Sequence, residues 1–260
     1  MFYKNNLPNP SLSDFKSVYP KNKSNRNIYK LWRWLFIGRF SLLISWISAR
    51  LNLHPNFITI ISFITGLIGL FFIIKGGSSN IIIGVICINC WYLLDCSDGH
   101  LARYYKIKSN LGKFLDEIFG EIILTFLWFF LGYSFFLNPD KFMIYLSNYF
   151  YINNYIFIFG AVASISIPLR NCVSVRFSNC YIDKKNNLNS NDQNKDKKYS
   201  LYGLIKLFFI NLMGIGGLLG PFLILFAIFD YLSLLLIIYS ILYFSYLVLL
   251  ILYFIHRLKI

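Results

Sequence analysis

Long apolar stretches, each ended by a short polar segment, dominate the chain from residue 55 onward. Short pairs such as Gly76-Gly77 and Asn138-Pro139 separate some of these stretches, and such pairs favour turns. Each stretch is long enough to cross a bilayer as a helix. The pattern therefore predicts an all-α integral membrane protein with six transmembrane helices, at 56–74, 80–103, 112–137, 153–170, 203–229 and 231–255.

The chain before these spans has a different pattern. Residues 1–26 are polar, and we expect a cytoplasmic N-terminal arm there. Residues 27–54 mix aromatic side chains such as Trp34 with arginines such as Arg33 and Arg39. Arginines are costly at the bilayer centre, so this segment favours an interfacial amphipathic helix. The alternative interpretation is a poorly hydrophobic first span.

The composition supports a membrane protein, since 57% of the residues are hydrophobic and 14% are charged. Soluble domains carry about 25% charged residues, so a soluble enzyme or a nucleic-acid-binding domain is excluded as the main body. The net charge is +14, and 23 of the 25 Lys and Arg residues fall in segments on one side of the six spans. Only Lys75 and Lys141 fall on the other side. This asymmetry indicates that both termini are cytoplasmic, and it makes a nucleic-acid partner unnecessary.

These boundaries give the expected organisation. A six-span domain covers residues 55–256 and carries a flexible cytoplasmic loop at 177–200, and residues 257–260 form a cytoplasmic C-terminus. The location that we expect is the plasma (inner) membrane of a bacterium, as a multi-pass protein in contact with membrane lipids.

Acidic residues are scarce, yet five of the 11 lie between positions 95 and 121, near the inner ends of the second and third spans. Two of them, Asp95 and Asp98, share one helix face because they are three residues apart, and Asp116 would approach from the next helix. Converging carboxylates repel one another unless a cation neutralises them, and their hard oxygen atoms favour Mg²⁺ or Mn²⁺. The alternative is a set of salt bridges to Arg103 and Lys106.

The residues around this cluster form a specific pattern. The chain reads D-C-S-D-G-H-L-A-R from Asp95 to Arg103, followed by eight residues, Gly112 and, four positions later, Asp116. This resembles the signature of the CDP-alcohol phosphotransferase family, D-x-x-D-G-x-x-A-R-x8-G-x3-D-x3-D. Seven of its eight fixed positions match, and the run H-P-N-F-I-T at 54–59 is also similar to the family.

The resemblance implies roles for individual residues. It implies a catalytic site with Mg²⁺ or Mn²⁺, as two ions, held by Asp95, Asp98 and Asp116. It also implies transfer of a phosphatidyl or other substituted-phosphate group from a CDP-linked lipid or alcohol to an acceptor hydroxyl, with release of CMP. CDP-diacylglycerol is the donor that we expect, and a homodimer is expected as well. The nucleotide-binding residues would be Thr59, Asp98, Gly99, Ala102, Arg103 and Gly112.

One position departs from the signature. The fourth Asp, which is the expected general base, would fall at position 120, where this chain has Gly120. Glu121 is adjacent, but one residue turns the side chain by about 100° around a helix. The catalytic candidates are therefore Asp116 and Glu121. A general base contributes about 10²–10⁴-fold, so the departure leaves a second hypothesis open: an impaired family member that binds CDP-lipid or a partner.

Two further assignments remain open. Arg170 and Arg176 are candidates for binding the acceptor, by resemblance to members that use phosphorylated polyols, and ordinary cytoplasmic charge is the alternative. A third functional class, an ion-coupled transporter with the acidic cluster on its ion path, ranks below both enzyme hypotheses. It would require matching broken helices in two halves of the chain, and the sequence shows none.

Overall fold

Helices form every regular element in the part of the chain that the computed structural model describes, namely residues 10–12, 15, 31–107, 109–149, 155–187 and 211–259. Two of the helical segments are π-helical turns. The elements are a π-turn at Arg33–Ile37, α1 (Gly38–Arg50), α2 (Pro55–Lys75), α3 (Ser78–Tyr104), α4 (Asn110–Leu137), α5 (Lys141–Ser147), α6 (Tyr155–Asn187), a π-turn at Ile215–Leu219, α7 (Gly220–Phe229) and α8 (Leu232–Lys259).

Within these ranges, five helices are long and apolar enough to cross a membrane: α2, α3, α4, α6 and α8. A shorter apolar helix covers Ile215–Phe229. The all-α membrane architecture is thus confirmed, whereas the count of six spans is not. The predicted span at 203–229 is described only from residue 211. Residues 211–213 are helical, and Gly214, whose backbone is extended, separates them from the π-turn at Ile215–Leu219. Gly217 also departs from helical geometry, which interrupts the regular helix that the apolar run predicts.

Capping residues fix the ends of two helices that matter for the site. Pro55 occupies the first turn of α2, where its missing N–H costs no hydrogen bond. Nδ1 of His54 accepts a hydrogen bond of 3.2 Å from the backbone N–H of Asn56. At the start of α4, the hydroxyl of Ser109 accepts a hydrogen bond of 3.1 Å from the N–H of Gly112. These caps place the first turns of α2 and α4 in defined positions.

Glycines allow α2, α3 and α4 to approach closely. A Cβ atom on Gly84 would lie 2.7 Å from the carbonyl oxygen of Gly69, so the backbones of α3 and α2 touch there. A Cβ atom on Gly66 would lie 2.7 Å from Cδ1 of Ile123 on α4. Small residues at helix crossings are the usual means of bringing membrane helices together. The other helices complete the bundle, with α1 and α7 on α3, α6 on α4, and α8 on α6.

Hydrogen bonds connect the start of α8 to the starts of α3 and α5. The buried carboxyl group of Asp140 accepts from the backbone N–H and the hydroxyl of Ser233, at 2.8 and 2.6 Å, and from the N–H of Met143 at 3.0 Å. Burial raises the pKa of the Asp140 carboxyl, and these hydrogen bonds oppose that shift. The hydroxyl of Ser78 donates to Asp230 at 2.9 Å. These contacts place the starts of the three helices on the same side of the bundle.

The structure differs from the sequence prediction after residue 170. Helix α6 continues through Pro168 to Asn187, so it covers the first part of the expected loop at 177–200, and residues 188–200 lie outside the described ranges. The polar residues in this part of the chain obscured the continuation of the helix. The short helix α5, capped by Asp140, was not predicted either.

Part of the predicted polar arm at 1–26 packs against the bundle. Phe15 is buried and stacks on Tyr104 at the end of α3, with ring centroids 4.4 Å apart. Nε1 of Trp46 on α1 donates to the carbonyl oxygen of Pro10 at 2.9 Å. The remaining residues of the arm lie outside the described ranges. The isolated aromatic residue in a polar segment gave too weak a pattern to predict this contact.

Candidate active site at the ends of three helices

A cavity of about 440 Å³ lies where the first turns of α2 and α4 meet the last turns of α3. Its wall contains most of the residues that the sequence assigns to the nucleotide and the metal, although they come from three helices. These residues are Thr59, Asp98, Gly99, Ala102, Arg103, Gly112 and Asp116. The structure therefore brings the two halves of the signature together around one space.

Two of the three predicted carboxyl groups, those of Asp98 and Asp116, line this cavity, and the third lies close to them. Asp98 is only 7% exposed, and its Oδ2 accepts a hydrogen bond of 2.5 Å from the hydroxyl of Thr59. Asp95 does not line the cavity, but its carboxyl group lies within hydrogen-bonding reach of Asp116 and interacts electrostatically with Asp98 and Arg33. Asp116 is exposed at the cavity wall. Two helices thus bring three carboxyl groups together, as the sequence predicts.

The donor chemistry of these three groups fits a divalent cation. Carboxylates this close repel one another, and a cation among them removes that cost. Oxygen donors favour Mg²⁺ or Mn²⁺ over softer metals. Within the described ranges, no three His, Cys, Asp or Glu side chains lie close enough together to hold one metal ion as they stand. Asp95 lies near Asp116, and Asp98 is hydrogen-bonded to Thr59, so the three carboxyl groups are neighbours without sharing one centre.

Small residues and one arginine form another part of the wall. The three atoms nearest to a Cβ atom on Gly99 would all belong to the Arg103 guanidinium group, with Nη1 at 3.5 Å, so this group lies over the glycine. A Cβ atom on Gly112 would lie 3.0 Å from Oδ1 of Asn56, another residue of the wall. Side chains at either glycine would occupy or narrow the cavity, which gives a physical reason for glycine at both positions.

Besides Asp95, three of the predicted site residues lie outside the cavity wall. Glu121 accepts a hydrogen bond of 3.2 Å from Nδ2 of Asn171 on α6. Arg170 is half-buried and donates to Oδ1 of the same Asn171 at 3.1 and 3.3 Å. Arg176 is exposed. Glu121 and Arg170 are therefore joined through Asn171 in a polar cluster between α4 and α6, and neither lines the cavity.

The position of the missing carboxylate is sterically open. A Cβ atom on Gly120 would lie 3.9 Å from Cζ2 of Trp91, which is an ordinary contact. Nothing else within 4 Å would meet it. The neighbouring structure therefore does not force glycine at this position.

A model of the CDP-alcohol phosphatidyltransferase family matches residues 52–239, which cover most of the chain and include the whole cavity wall. The chain belongs to the CDP-alcohol phosphatidyltransferase family. No curated protein matches it. Membership makes the protein a transferase that uses a CDP-alcohol in phospholipid synthesis, and the family typically uses a divalent metal. It leaves the donor and the acceptor of this particular chain open.

The cavity of this family member also contains residues that the sequence did not single out. Asn56, Ser109, Asn110 and Lys113 lie in the wall, all of them in or just before the first turns of α2 and α4. Asn56 belongs to the H-P-N-F-I-T run, so the similarity of that run to the family was the available signal. Lys113 had no distinguishing pattern among the many cytoplasmic lysines.

Gly99→Ala tests whether this cavity binds the nucleotide. The new methyl group meets no neighbour closer than 3.5 Å and projects at the cavity wall, so it takes space from a ligand without disturbing the fold. We expect the affinity for CDP to fall roughly tenfold, or about 1.4 kcal/mol, measured by calorimetric titration of the purified protein with Mg²⁺ present. The midpoint of thermal unfolding should not decrease, because alanine favours a helix over glycine.

Gly120→Ala is the matched control, since it makes the same change on α4 at a position outside the cavity wall. It should leave CDP affinity unchanged. Equal CDP affinities of Gly99→Ala and the unmodified protein would contradict the assignment of the cavity.

Proposed function

We propose that this protein transfers a phosphatidyl or other substituted-phosphate group from a CDP-alcohol, with CDP-diacylglycerol as the donor, to an acceptor hydroxyl. The observation that carries the proposal is the single cavity in which seven residues of the expected nucleotide and metal site converge from α2, α3 and α4. The bond that forms joins the acceptor oxygen to the distal phosphorus of the diphosphate. The bond that breaks joins this phosphorus to the bridging oxygen, which leaves on CMP.

The metal assignment rests on Asp95, Asp98 and Asp116. We assign Mg²⁺ or Mn²⁺ to these residues because they supply adjacent oxygen donors from two helices. A divalent ion bound there would neutralise the diphosphate and stabilise the charge on the leaving phosphate. Thr59 contributes indirectly, since its hydroxyl fixes one oxygen of Asp98. The sequence suggests that Thr59 contacts a phosphate directly. Its hydrogen bond to Asp98 instead supports a role in orienting the carboxylate.

Arg103 and Lys113 are the basic residues that we assign to the phosphates. Both line the cavity, and Arg103 can offer two parallel N–H groups to one phosphate. Gly99, Ala102 and Gly112 leave room for the nucleotide beside them. The cavity therefore combines anionic and cationic walls, which suits a ligand that carries both a diphosphate and its counter-ions.

Asp116 is the residue that we assign as the general base. It lines the cavity and is exposed, whereas Glu121 is directed toward Asn171 and lies outside the wall. The acceptor hydroxyl would pass its proton to the Asp116 carboxylate as the new phosphorus–oxygen bond forms, and the proton would then leave to water. Asp116 would thus act in place of the aspartate that the family signature has at position 120.

The polar cluster of Glu121, Asn171 and Arg170 is our candidate for the acceptor subsite. Arg170 also interacts electrostatically with Tyr243 and Tyr246 on α8, and the cluster presents carboxylate, amide and guanidinium groups to a polar acceptor. Arg176 lies six residues further along α6, roughly 9 Å away along the helix axis. Its exposure fits a role at the opening of the subsite better than a role within it.

CMP release tests the activity directly. The purified protein should release CMP when it is given Mg²⁺ or Mn²⁺, CDP-diacylglycerol and one member of a panel of hydroxyl acceptors, and chelation of the metal should stop the release. Arg170→Gln should raise the acceptor KM about tenfold, the loss typical of one charged contact, with little change in the donor KM.

An impaired enzyme is the alternative that Gly120 favours. Metal-dependent binding of CDP without CMP release from any donor and acceptor would contradict the transferase proposal and support a binding role. Gly120→Asp then separates the two cases, because the position is open to a side chain. Gain of CMP release in this variant would locate the impairment at the missing carboxylate.

The topology that we propose has six spans, with the N-terminal segment 27–54 at the interface and both termini and the cavity on the cytoplasmic side. The domain limits remain 55–256 for the catalytic unit. The contacts Ser78–Asp230 and Asp140–Ser233 support a crossing between α6 and α8, since they place the start of α8 beside the starts of α3 and α5. If α6 crosses the membrane and ends on the cytoplasmic side, α8 can start on the outer side only when a sixth span lies between the two helices.

Cysteine labelling tests this topology. In a variant without the native cysteines, Tyr231→Cys and Lys141→Cys should both react with a membrane-impermeant maleimide added outside intact cells, since both side chains are exposed. Cysteine restored at position 180, at the other end of α6, should react only after permeabilisation. Outside labelling at 141 together with protection at 231 would rule out the sixth span.

A further inference from the structure

His100 is a buried residue of the active-site helix to which neither the composition nor the family signature assigns a role. It occupies a variable position between Gly99 and Ala102, and only 3% of its surface is exposed. Its Nδ1 atom lies 3.0 Å from Nη2 of Arg103, one helical turn further along α3. The buried imidazole ring of His100 therefore contacts Arg103, the residue that we assign to the phosphates.

The chemistry of the pair fixes the direction of the hydrogen bond. A guanidinium group has only N–H donors and no acceptor. Nδ1 of His100 must therefore accept the hydrogen bond from Arg103, with the ring neutral and its hydrogen on Nε2. Because the two residues are three apart on one helix, the contact is built into α3 itself and does not depend on the packing of another element.

This hydrogen bond restricts the position of the guanidinium group. Nη2 is held by His100, and Nη1 lies 3.5 Å from the point that a Cβ of Gly99 would occupy. The planar group is thus held at Nη2, with Nη1 close to Gly99 at the wall of the cavity. An arginine side chain otherwise has many rotamers, and it loses that freedom when it binds a ligand. Fixing it beforehand lowers the entropy cost of binding a phosphate.

We propose that His100 is a positioning residue, whose Nδ1 holds Arg103 over Gly99 in the orientation that binds the diphosphate of the donor. This inference rests on the proposed function, because it assigns the ligand of Arg103 as a nucleotide diphosphate. The proposal predicts that replacing His100 lowers the affinity for phosphate-bearing nucleotides and leaves the affinity for the nucleoside unchanged.

Three substitutions separate positioning from packing. His100→Asn places an amide oxygen near the position of Nδ1 and keeps the acceptor. His100→Gln places its polar atoms near the position of Nε2 instead, and His100→Phe keeps the ring while removing both nitrogens. The comparison of Asn with Gln is the matched control, because both are neutral amides in the same buried place.

The measurement is the affinity of the purified, full-length variants for CDP and for cytidine, with Mg²⁺ present, by calorimetric competition. We expect His100→Gln and His100→Phe to weaken CDP binding roughly tenfold, the loss typical of a charge-assisted hydrogen bond, and to leave cytidine binding unchanged. His100→Asn should retain most of the CDP affinity. In the same assays, donor KM should rise more than kcat falls.

A structural role for His100 gives a different result. Equal losses for CDP and cytidine in the Gln and Phe variants, or equal behaviour of Asn and Gln, would overturn the proposal. In an Arg103→Gln background the effect of His100→Phe on CDP affinity should disappear, because His100 acts through Arg103. Persistence of the effect in that background would also overturn it.

The same binding measurements distinguish a failure of the proposed function from a failure of the role of His100. An unmodified protein that binds neither CDP nor cytidine in the presence of Mg²⁺ would remove both proposals together. An unmodified protein that binds CDP, combined with variants that bind it equally well, would remove only the role of His100.

Discussion

Bringing three carboxyl groups together at the mouth of a membrane helix bundle is the constraint on which the other features depend. Asp95 and Asp98 belong to α3, and Asp116 belongs to α4, so the two helices must meet closely at this depth. Each ionised carboxylate there is costly to bury and repels the others. Such a cluster is stable only with hydrogen bonds and cations around it, and both the Thr59 hydroxyl and the nearby arginines fulfil part of that need.

The helix bundle satisfies this constraint through backbone contact at glycines and through caps at the helix ends. Gly66, Gly69 and Gly84 let α2, α3 and α4 approach more closely than larger residues permit. His54 and Ser109 then start α2 and α4 beside the end of α3. The cavity is the space that remains between these three ends. Its position, and the residues that line it, follow from the places where the helices start and stop.

The signature residues could be predicted from the sequence because their spacing encodes their placement. Asp98, Gly99, Arg103, Gly112 and Asp116 all reach one cavity, as the two gaps in the signature indicate. Glu121 could not be placed in the same way, since its direction depends on Asn171 of α6, which is remote in sequence. The role of Thr59 likewise required the packing of α2 on α3.

Other structural features could not be predicted from the sequence, because hydrophobicity alone does not determine them. The polar end of α6 continues as a helix to Asn187 although its composition resembles a loop. The break at Gly214 and Gly217 lies inside an apolar run that predicts an unbroken span. His100 stands at a variable position, and its contact with Arg103 becomes visible only from the side-chain geometry.

The most direct measurement of the central claim is the Mn²⁺ dependence of CDP binding by the purified protein in lipid nanodiscs. CDP should bind with Mn²⁺ present and lose its affinity on chelation, and Asp98→Asn should abolish the metal-dependent part. Asp230→Asn, just before α8 and outside the cavity wall, should behave as the unmodified protein. CDP affinity that is the same in Mn²⁺ and in chelator, or unchanged in Asp98→Asn, would contradict the assignment of the carboxylates and the cavity to a metal–nucleotide site.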